Sequence, residues 1–364
     1  MITRKNKRDL FRIIPFGLIW FIYALIYLLL EKGLLADLNF YPSTGNPYKF
    51  GVNTLISLSI AAISGLLIGT FEIRVLNNLF THHSFGKKII YKTLIYVVMM
   101  ITFVIVISGI GYSIKLETSI FDHQIWANTW KFSSSITFWS FQLYLAAMIG
   151  VSLIFTEFSE HIGMTVLHNF FIGKYHKPIQ EDRIFMFLDM RSSTTIAEDI
   201  GHIKYFEMLR EYYSDLSGPM LQYSGEVYDY VGDEIIVSWK LNKGISDNNC
   251  LKCFFAMKQI LSNYSEKYRS KFGIVPSFKA GFHHGQVTTG EIGVLKKDIV
   301  FSGDVLNTTA RIQGLCNNYN VDLLISDQLK NKMNIEPEFQ IKSQGRNELR
   351  GRNETVELFT VQLR

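Results

Sequence analysis

The sequence predicts four apolar helices that cross a bilayer, followed by an α+β domain with the element order βαββαβ. Three observations predict this fold. Four uncharged apolar runs, each about as long as a hydrocarbon core is thick, occupy residues 1–156. From residue 181 onward the composition is that of an ordinary globular domain, with short apolar runs alternating with helical spacing. Within it, EVYDYVGDEIIVSW (226–239) places apolar residues on both sides of a Gly-Asp-Glu corner, the pattern of a tight hairpin. The whole chain has 364 residues, enough for two domains, and is 48% hydrophobic. Its mean hydropathy of +0.13 averages the two unlike parts.

The apolar runs are Ile13–Leu30, Phe50–Phe71, Thr93–Ile114 and Phe132–Thr156. Only a helix satisfies its own backbone groups in hydrocarbon, so each run is read as a spanning helix. The first is too long for a cleaved signal sequence and lacks a small-residue cleavage site. Flanking cations orient the set. Arg4, Lys5, Lys7, Arg8 and Arg12 precede the first run, and Arg74, Lys87, Lys88 and Lys92 lie between the second and third. The positive-inside rule places the N-terminus in the cytoplasm of an inner or plasma membrane, and four crossings return the chain there. The second run carries Ser57, Ala61, Gly65 and Gly69 at four-residue spacing, which lets another helix approach closely, within the bundle or across a subunit contact. With no acid or base inside the runs, an ion path or proton relay is not expected. His82 and His83 are read as solvated loop residues. Residues 157–180 form a mixed segment with early helical spacing (Phe158, Ile162, Val166, Phe170) that stops at Pro178, and are read as a coupling linker.

The domain at 181–364 begins with RIFMFLDM (183–190), a continuous apolar run that reads as a central strand. Ile203, Phe206, Leu209, Tyr213, Leu216 and Met220 then recur at helical steps, and the hairpin follows. A second helix carries Leu251, Phe254, Met257, Leu261 and Tyr264. A strand at 277–283, a Gly-rich stretch, a helix from about Val305, a strand at 321–326 and a final strand at 356–361 complete the order. This is a ferredoxin-like arrangement. The net charge of +5 is modest, and no basic stripe interleaved with aromatics points to nucleic acid. Cys250, Cys253 and Cys316 imply no disulfide framework, and the lone CLKC pair reads as helix thiols.

The acids carry the chemistry. In a βαββαβ sheet the first and third strands are neighbours, so Asp189, at the end of the first, and Asp233, in the hairpin, meet at one edge. Two carboxylates brought together repel, and a hard divalent cation relieves them. The stretch Asp189-Met190-Arg191-Ser192-Ser193-Thr194 turns from strand to helix and offers hydroxyls and free N–H groups to a phosphate. Carboxylate-held metals beside a phosphate cradle describe phosphoryl chemistry by in-line displacement. Glu234 is assigned to the opposite face by strand alternation.

FLDMRSST, YVGDEIIVSW, GFHHGQVTTGEIG and FSGDVLNTTAR resemble, in order and spacing, the class III nucleotidyl cyclases, the adenylyl and guanylyl cyclases. The resemblance covers about residues 183–361. It implies a cyclase domain in which the ribose 3′-hydroxyl of a nucleoside triphosphate attacks the α-phosphorus and pyrophosphate leaves. It further implies two Mg²⁺ (or Mn²⁺) on Asp189, Asp233 and the Met190 carbonyl, with Ser193 and Thr194 in the triphosphate turn. Asn307 and Arg311 match the N-x-x-x-R pair that orients ribose and stabilises charge on phosphate. Arg350 and Arg352 in LRGR match the stretch at the terminal phosphates. The family builds its site between two catalytic domains, so a homodimer embedded in the lipid bilayer is implied.

The base-selecting positions depart from the family pattern. Asp229 stands where adenylyl cyclases have a lysine, and Val300 where the partner aspartate or threonine is expected. Guanylyl cyclases carry a glutamate at the first position, which Asp229 resembles in chemistry. ATP is the favoured substrate, because membrane cyclases of this kind mostly make cyclic AMP. GTP, a pyrimidine nucleotide and a catalytically silent receptor domain are the alternatives. VGDEI also approaches the Gly-Gly-Asp/Glu-Glu-Phe hairpin of diguanylate cyclases. Val231, Ile235 and the Asn307/Arg311 pair argue against that family.

Overall fold

The computed structural model describes residues 4–41, 47–76, 79–80, 83–295, 297–349 and 355–364. The chain divides into two compact units, Met1–His168 and Asn169–Arg364. The division falls inside the segment expected to be a linker. His82 lies outside the described residues.

The first unit holds α1 (Arg4–Leu35), α2 (Phe50–Arg74), α3 (Phe85–Leu116), α4 (His123–Ser133) and α5 (Ile136–Ile162), with α6 (Met164–Phe171) following. All but α4 and α6 are long and apolar enough to cross a membrane. Only 11% of the α2 span and 11% of the α3 span is buried inside the structure, so most of their apolar side chains face outward. Soluble monomers rarely expose so much contiguous apolar surface, whereas hydrocarbon accepts it. The run 132–156 is not one helix. The Ser135 hydroxyl accepts the Phe138 amide at 3.2 Å and starts α5, while Asp122 caps α4 through the Gln124 amide at 2.8 Å. The small residues of α2 serve α1: a Cβ at Gly65 would come within 2.7 Å of the Phe16 carbonyl, and one at Gly69 within 2.9 Å of the Phe16 ring.

No acid or base lies inside the four apolar runs, but ionisable groups are buried just beyond their ends. The helices run past the uncharged windows, and their ends carry acids and bases inward. Glu72 of α2, Lys92 of α3 and Glu157 of α5 are fully or almost fully buried. Lys92 pairs with Glu72 and, at 3.1 Å, with Glu157. Lys88 donates to Glu157 at 2.9 Å, Tyr96 donates to Glu72 at 2.9 Å, and Arg12 of α1 pairs with Glu160. Little water reaches Glu72, Lys92 and Glu157, so each depends on its partners. Glu72→Ala leaves the Tyr96 hydroxyl without its acceptor and Lys92 with half its counter-charge. It should destabilise the unit by about 3–5 kcal/mol, read as unfolding by denaturant in mixed micelles. A loss under about 1 kcal/mol would contradict this account of the cluster.

The second unit consists of β1 (Ile179–Met190), α7 (Ser193–Ile200), α8 (His202–Gln222), β2 (Glu226–Val231), β3 (Glu234–Lys240), α9 (Leu241–Ile245), α10 (Asn249–Asn263), α11 (Ser265–Phe272), β4 (Phe278–Ile292), β5 (Asp298–Ser302), α12 (Asp304–Gly314), β6 (Leu323–Ser326), α13 (Asp327–Lys330), β7 (Phe339–Glu348) and β8 (Thr355–Leu363). The sheet order is β2-β3-β1-β4-β6-β8-β7, with β5 pairing β4. Its first four strands are the ferredoxin-like core, and β6 joins parallel to β4. β1 is apolar on both sides because both faces are covered. Ile184, Met186, Leu188 and Met190 join α8, α10 and α11 in the main core, together with Cys250 and Cys253. Phe185 and Phe187 pack with Val305 of α12 on the other face. Burial pushes the Cys250 thiol up to about 12, the behaviour of a core thiol. Two apolar positions assigned to the α8 stripe, Ile203 and Phe206, are exposed, and Leu209, Tyr212, Leu216 and Met220 form its buried face.

Candidate active site

Asp189 is the penultimate residue of β1, flanked by β3 and β4. The Met190 side chain enters the main core, so only its main chain is free to serve as a ligand. Asp233 occupies the two-residue turn between Val231 and Glu234, behind Gly232 at φ +65°, and the Tyr213 hydroxyl holds the Gly232 carbonyl at 2.5 Å. A left-handed backbone suits glycine, which is why the corner is Gly-Asp. The turn brings the Asp233 carboxyl against both the Asp189 carboxyl and the Ser193 hydroxyl. Burial, joined by the Asp189 charge and only partly offset by the Ser193 hydroxyl, holds Asp233 above the usual carboxylate range.

A third acid belongs to this group. The register Leu188↔Ile235 makes Glu234 the next neighbour of Asp189, on the same face of the sheet. Burial, then the charges of Asp189 and Asp233, push Glu234 up to about 7. The expected placement of Glu234 on the opposite face is therefore corrected. Alternation holds along a strand, and Asp233 sits in the turn, where it does not apply.

Ser193 opens α7 after Ser192, which takes left-handed φ 55°. The Tyr205 hydroxyl lies against Ser193, and Tyr205 is pushed up to about 12 by burial and the Asp233 charge. Thr194 is exposed beside it. Arg191 turns away, donating to Asp322 at 2.9 Å and to the Val321 carbonyl at 2.7 Å. On the other side, one oxygen of Asp189 receives both Gln313 Nε2 at 3.0 Å and Lys279 Nζ at 3.3 Å.

These residues fit a divalent cation. Asp233 Oδ2 is buried without a hydrogen-bond partner, and the Asp189 carboxyl stands next to Asp233. Among the described residues no group of three or more His, Cys, Asp and Glu gathers to hold a metal. A hard cation held here would draw on the Asp189 and Asp233 carboxylates and would fill its remaining positions with other oxygens.

Asn307 and Arg311 lie one turn apart on α12, Asn307 exposed and Arg311 partly buried, with Arg311 Nη1 lacking a hydrogen-bond partner. Among the described residues no hydrogen bond or ion pair joins either of them to Asp189 or Asp233. Asp229 is exposed on β2 and accepts the Tyr230 amide at 2.8 Å, while Val300 on β5 pairs with Gly290. Their chain neighbours meet: the Tyr228 and Phe301 rings are 4.8 Å apart, and a bulge in β2 falls at Tyr228. Arg350 and Arg352 lie outside the described residues. Gln313, Lys279 and Tyr205 were not singled out from sequence. Gln313 follows Arg311 by two residues and reads as a polar position on an amphipathic helix, and only the tertiary packing brings it to Asp189.

Residues 176–362 match the model of the adenylate and guanylate cyclase catalytic domain. The chain is 31% identical over 219 residues to Adenylate cyclase 2 of Rhizobium meliloti (strain 1021), covering 60% of this chain and 60% of that protein. It is 24% identical over 182 residues to an adenylate cyclase of Anabaena cylindrica, covering 48% of this chain and 36% of that protein. It thus spans less than two thirds of the length of these relatives. A solved bacterial light-regulated adenylyl cyclase shares the fold with a TM-score of 0.53 at 18% identity, covering 63% of this chain and 66% of that one. A family match that takes in more than half of the chain makes this protein a member of the adenylate and guanylate cyclases, with the matched residues as its catalytic domain.

Proposed function

We propose that the protein is a membrane-anchored nucleotidyl cyclase that converts ATP to the 3′,5′-cyclic nucleotide and pyrophosphate, acting as a homodimer with its catalytic domain on the cytoplasmic side. The observation that carries this reading is the meeting of the Asp189 and Asp233 carboxyls beside the Ser193 hydroxyl, with Asp233 Oδ2 buried and unpaired. Two divalent cations held by these carboxylates and the Met190 carbonyl would supply charge neutralisation at the phosphates and acidify the attacking hydroxyl. Ser193 and Thr194 bind the triphosphate, with Arg350 and Arg352 at its terminal phosphates. Asn307 orients the ribose so that its 3′-oxygen lies in line with the α-phosphorus. As the new P–O bond forms and the bond to the β-phosphate oxygen breaks, the unpaired Arg311 Nη1 donates to the phosphate oxygens where charge accumulates. In the family the Asn/Arg pair serves a site whose aspartates come from the other chain, which suits the absence, among the described residues, of a hydrogen bond or ion pair between the two pairs. Residues 1–156 anchor the chain and 157–180 connect it to 181–364. ATP is favoured because the curated relatives are named adenylate cyclases. The exposed Asp229 carboxylate favours a second reading, GTP, since it can accept the N–H groups of guanine.

The test is incubation of the full chain in membranes with Mn²⁺ and each of ATP, GTP, CTP and UTP. Cyclic AMP is the expected product. Product from GTP alone would transfer the proposal to guanylyl cyclase, and no cyclic product from any of the four would refute it. Asp233→Ala should lower turnover at least about 10³-fold, because it removes one of two metal carboxylates.

Glu234 sets a pH dependence. Its folded-state value of about 7 lies above the ordinary 4.5, so the folded state binds the extra proton and stability is lost as pH rises from 4.5 towards 7. In EDTA, Glu234→Gln should therefore melt above wild type at pH 8 and close to it at pH 5. An equal difference at both pH values, or none, would contradict the crowding of the three acids.

A further inference from the structure

We infer that Gln313 is a positioning residue for the metal-binding carboxylate Asp189, a role that rests on the cyclase reading above. Gln313 Nε2 donates to Asp189 Oδ2 at 3.0 Å, and Lys279 Nζ lies 3.3 Å from the same oxygen. Both donors use one oxygen, which leaves Oδ1 for a cation. Lys279 is the direct cross-strand neighbour of Asp189 in the β1–β4 ladder, so its approach follows from sheet register. Gln313 comes from a helix and needs a special approach. Gly281 of β4 provides it, since a Cβ there would lie 2.4 Å from the Gln313 amide nitrogen and 2.7 Å from its Cα. The glycine lets α12 settle flush on the sheet at the residue that reaches Asp189. Gln313 is 7% exposed, so little water competes for its amide.

The same helix carries Asn307 and Arg311. At 3.6 residues per turn, Gln313 lies about 200° around α12 from Arg311. α12 thus holds the Asp189 of its own chain with one side and presents the Asn/Arg pair on another. In a carboxylate-rich site, orientation decides how well a cation is held. An unrestrained Asp189 would rotate away from Asp233 to relieve repulsion, and Gln313 and Lys279 oppose that rotation.

The experiment uses the full chain in detergent, with Mn²⁺ titrated in the presence of a non-cyclisable ATP analogue and bound metal followed by electron paramagnetic resonance. Gln313→Met keeps the volume and removes the donor, and Gln313→Asn keeps an amide that is one methylene too short. Both should weaken Mn²⁺ binding about tenfold, the low end for the loss of an outer partner of a metal ligand. The Mn²⁺ concentration for half-maximal rate should rise by a similar factor, while the KM for nucleotide at saturating Mn²⁺ changes less than twofold. Circular dichroism identifies variants that have lost the fold, and the Asn variant carries the test if the Met variant has. A folded variant that binds Mn²⁺ within twofold of wild type would overturn the inference. The binding readout needs no turnover. Wild type that binds Mn²⁺ yet makes no cyclic nucleotide would overturn the cyclase reading, whereas weakened binding in the variants would still support the assignment of Gln313.

Discussion

The repulsion between Asp189 and Asp233 is the constraint on which the catalytic unit depends. A sheet edge that brings two carboxylates into contact, with Glu234 beside them, is unfavourable without a counter-charge. The fold meets that cost on several sides. The Ser193 hydroxyl stands against Asp233, and Gln313 and Lys279 hold one oxygen of Asp189. One buried oxygen is left without any partner. Such an arrangement is inefficient as a stabilising device and suits the cation site proposed above.

The sheet topology makes the arrangement possible. β1 lies between β3 and β4, so its terminal acid is flanked by the hairpin turn on one side and by Lys279 on the other. Apolar residues on both faces of β1 allow helices to cover both faces. α12 is the cover on the second face, and Gly281 sets how closely it lies. Because α12 holds Asn307 and Arg311 as well as Gln313, its seating governs two sets of polar groups at once. The membrane unit solves a related problem differently. There Glu72, Lys92 and Glu157 are buried and neutralised by one another, with the Tyr96 hydroxyl and Lys88 completing the set.

Much of this was legible in the sequence, for identifiable reasons. Uncharged runs about as long as a bilayer is thick mark their helices wherever they occur, and RIFMFLDM could only be a strand buried on both faces. Asp189 and Asp233 were found because a strand end and a Gly-containing corner are local features whose meeting follows from strand order. What was missed was decided by tertiary contact. Glu234 was misplaced because Asp233 sits outside the alternating strand. Gln313 reaches Asp189 across 124 positions of chain, through an approach set by a glycine in another strand. The buried ion cluster was missed because Glu72, Lys92 and Glu157 lie just beyond the uncharged windows and are adjacent only after the helices pack. α4 was missed because nearly all of it precedes the last apolar run, in a stretch not read as an element, and only Phe132 and Ser133 fall inside that run.

The central claim is that one chain supplies Asp189 and Asp233 while its partner supplies Asn307 and Arg311. Co-expression of differently tagged Asp189→Ala and Arg311→Ala chains, with purification through both tags, tests it most directly. Each mixed dimer then holds one site with all four residues and one with neither Asp189 nor Arg311. About half of the wild-type activity per dimer is expected from the doubly purified material, while each variant alone stays inactive. Mixed dimers as inactive as their parents would contradict the shared site.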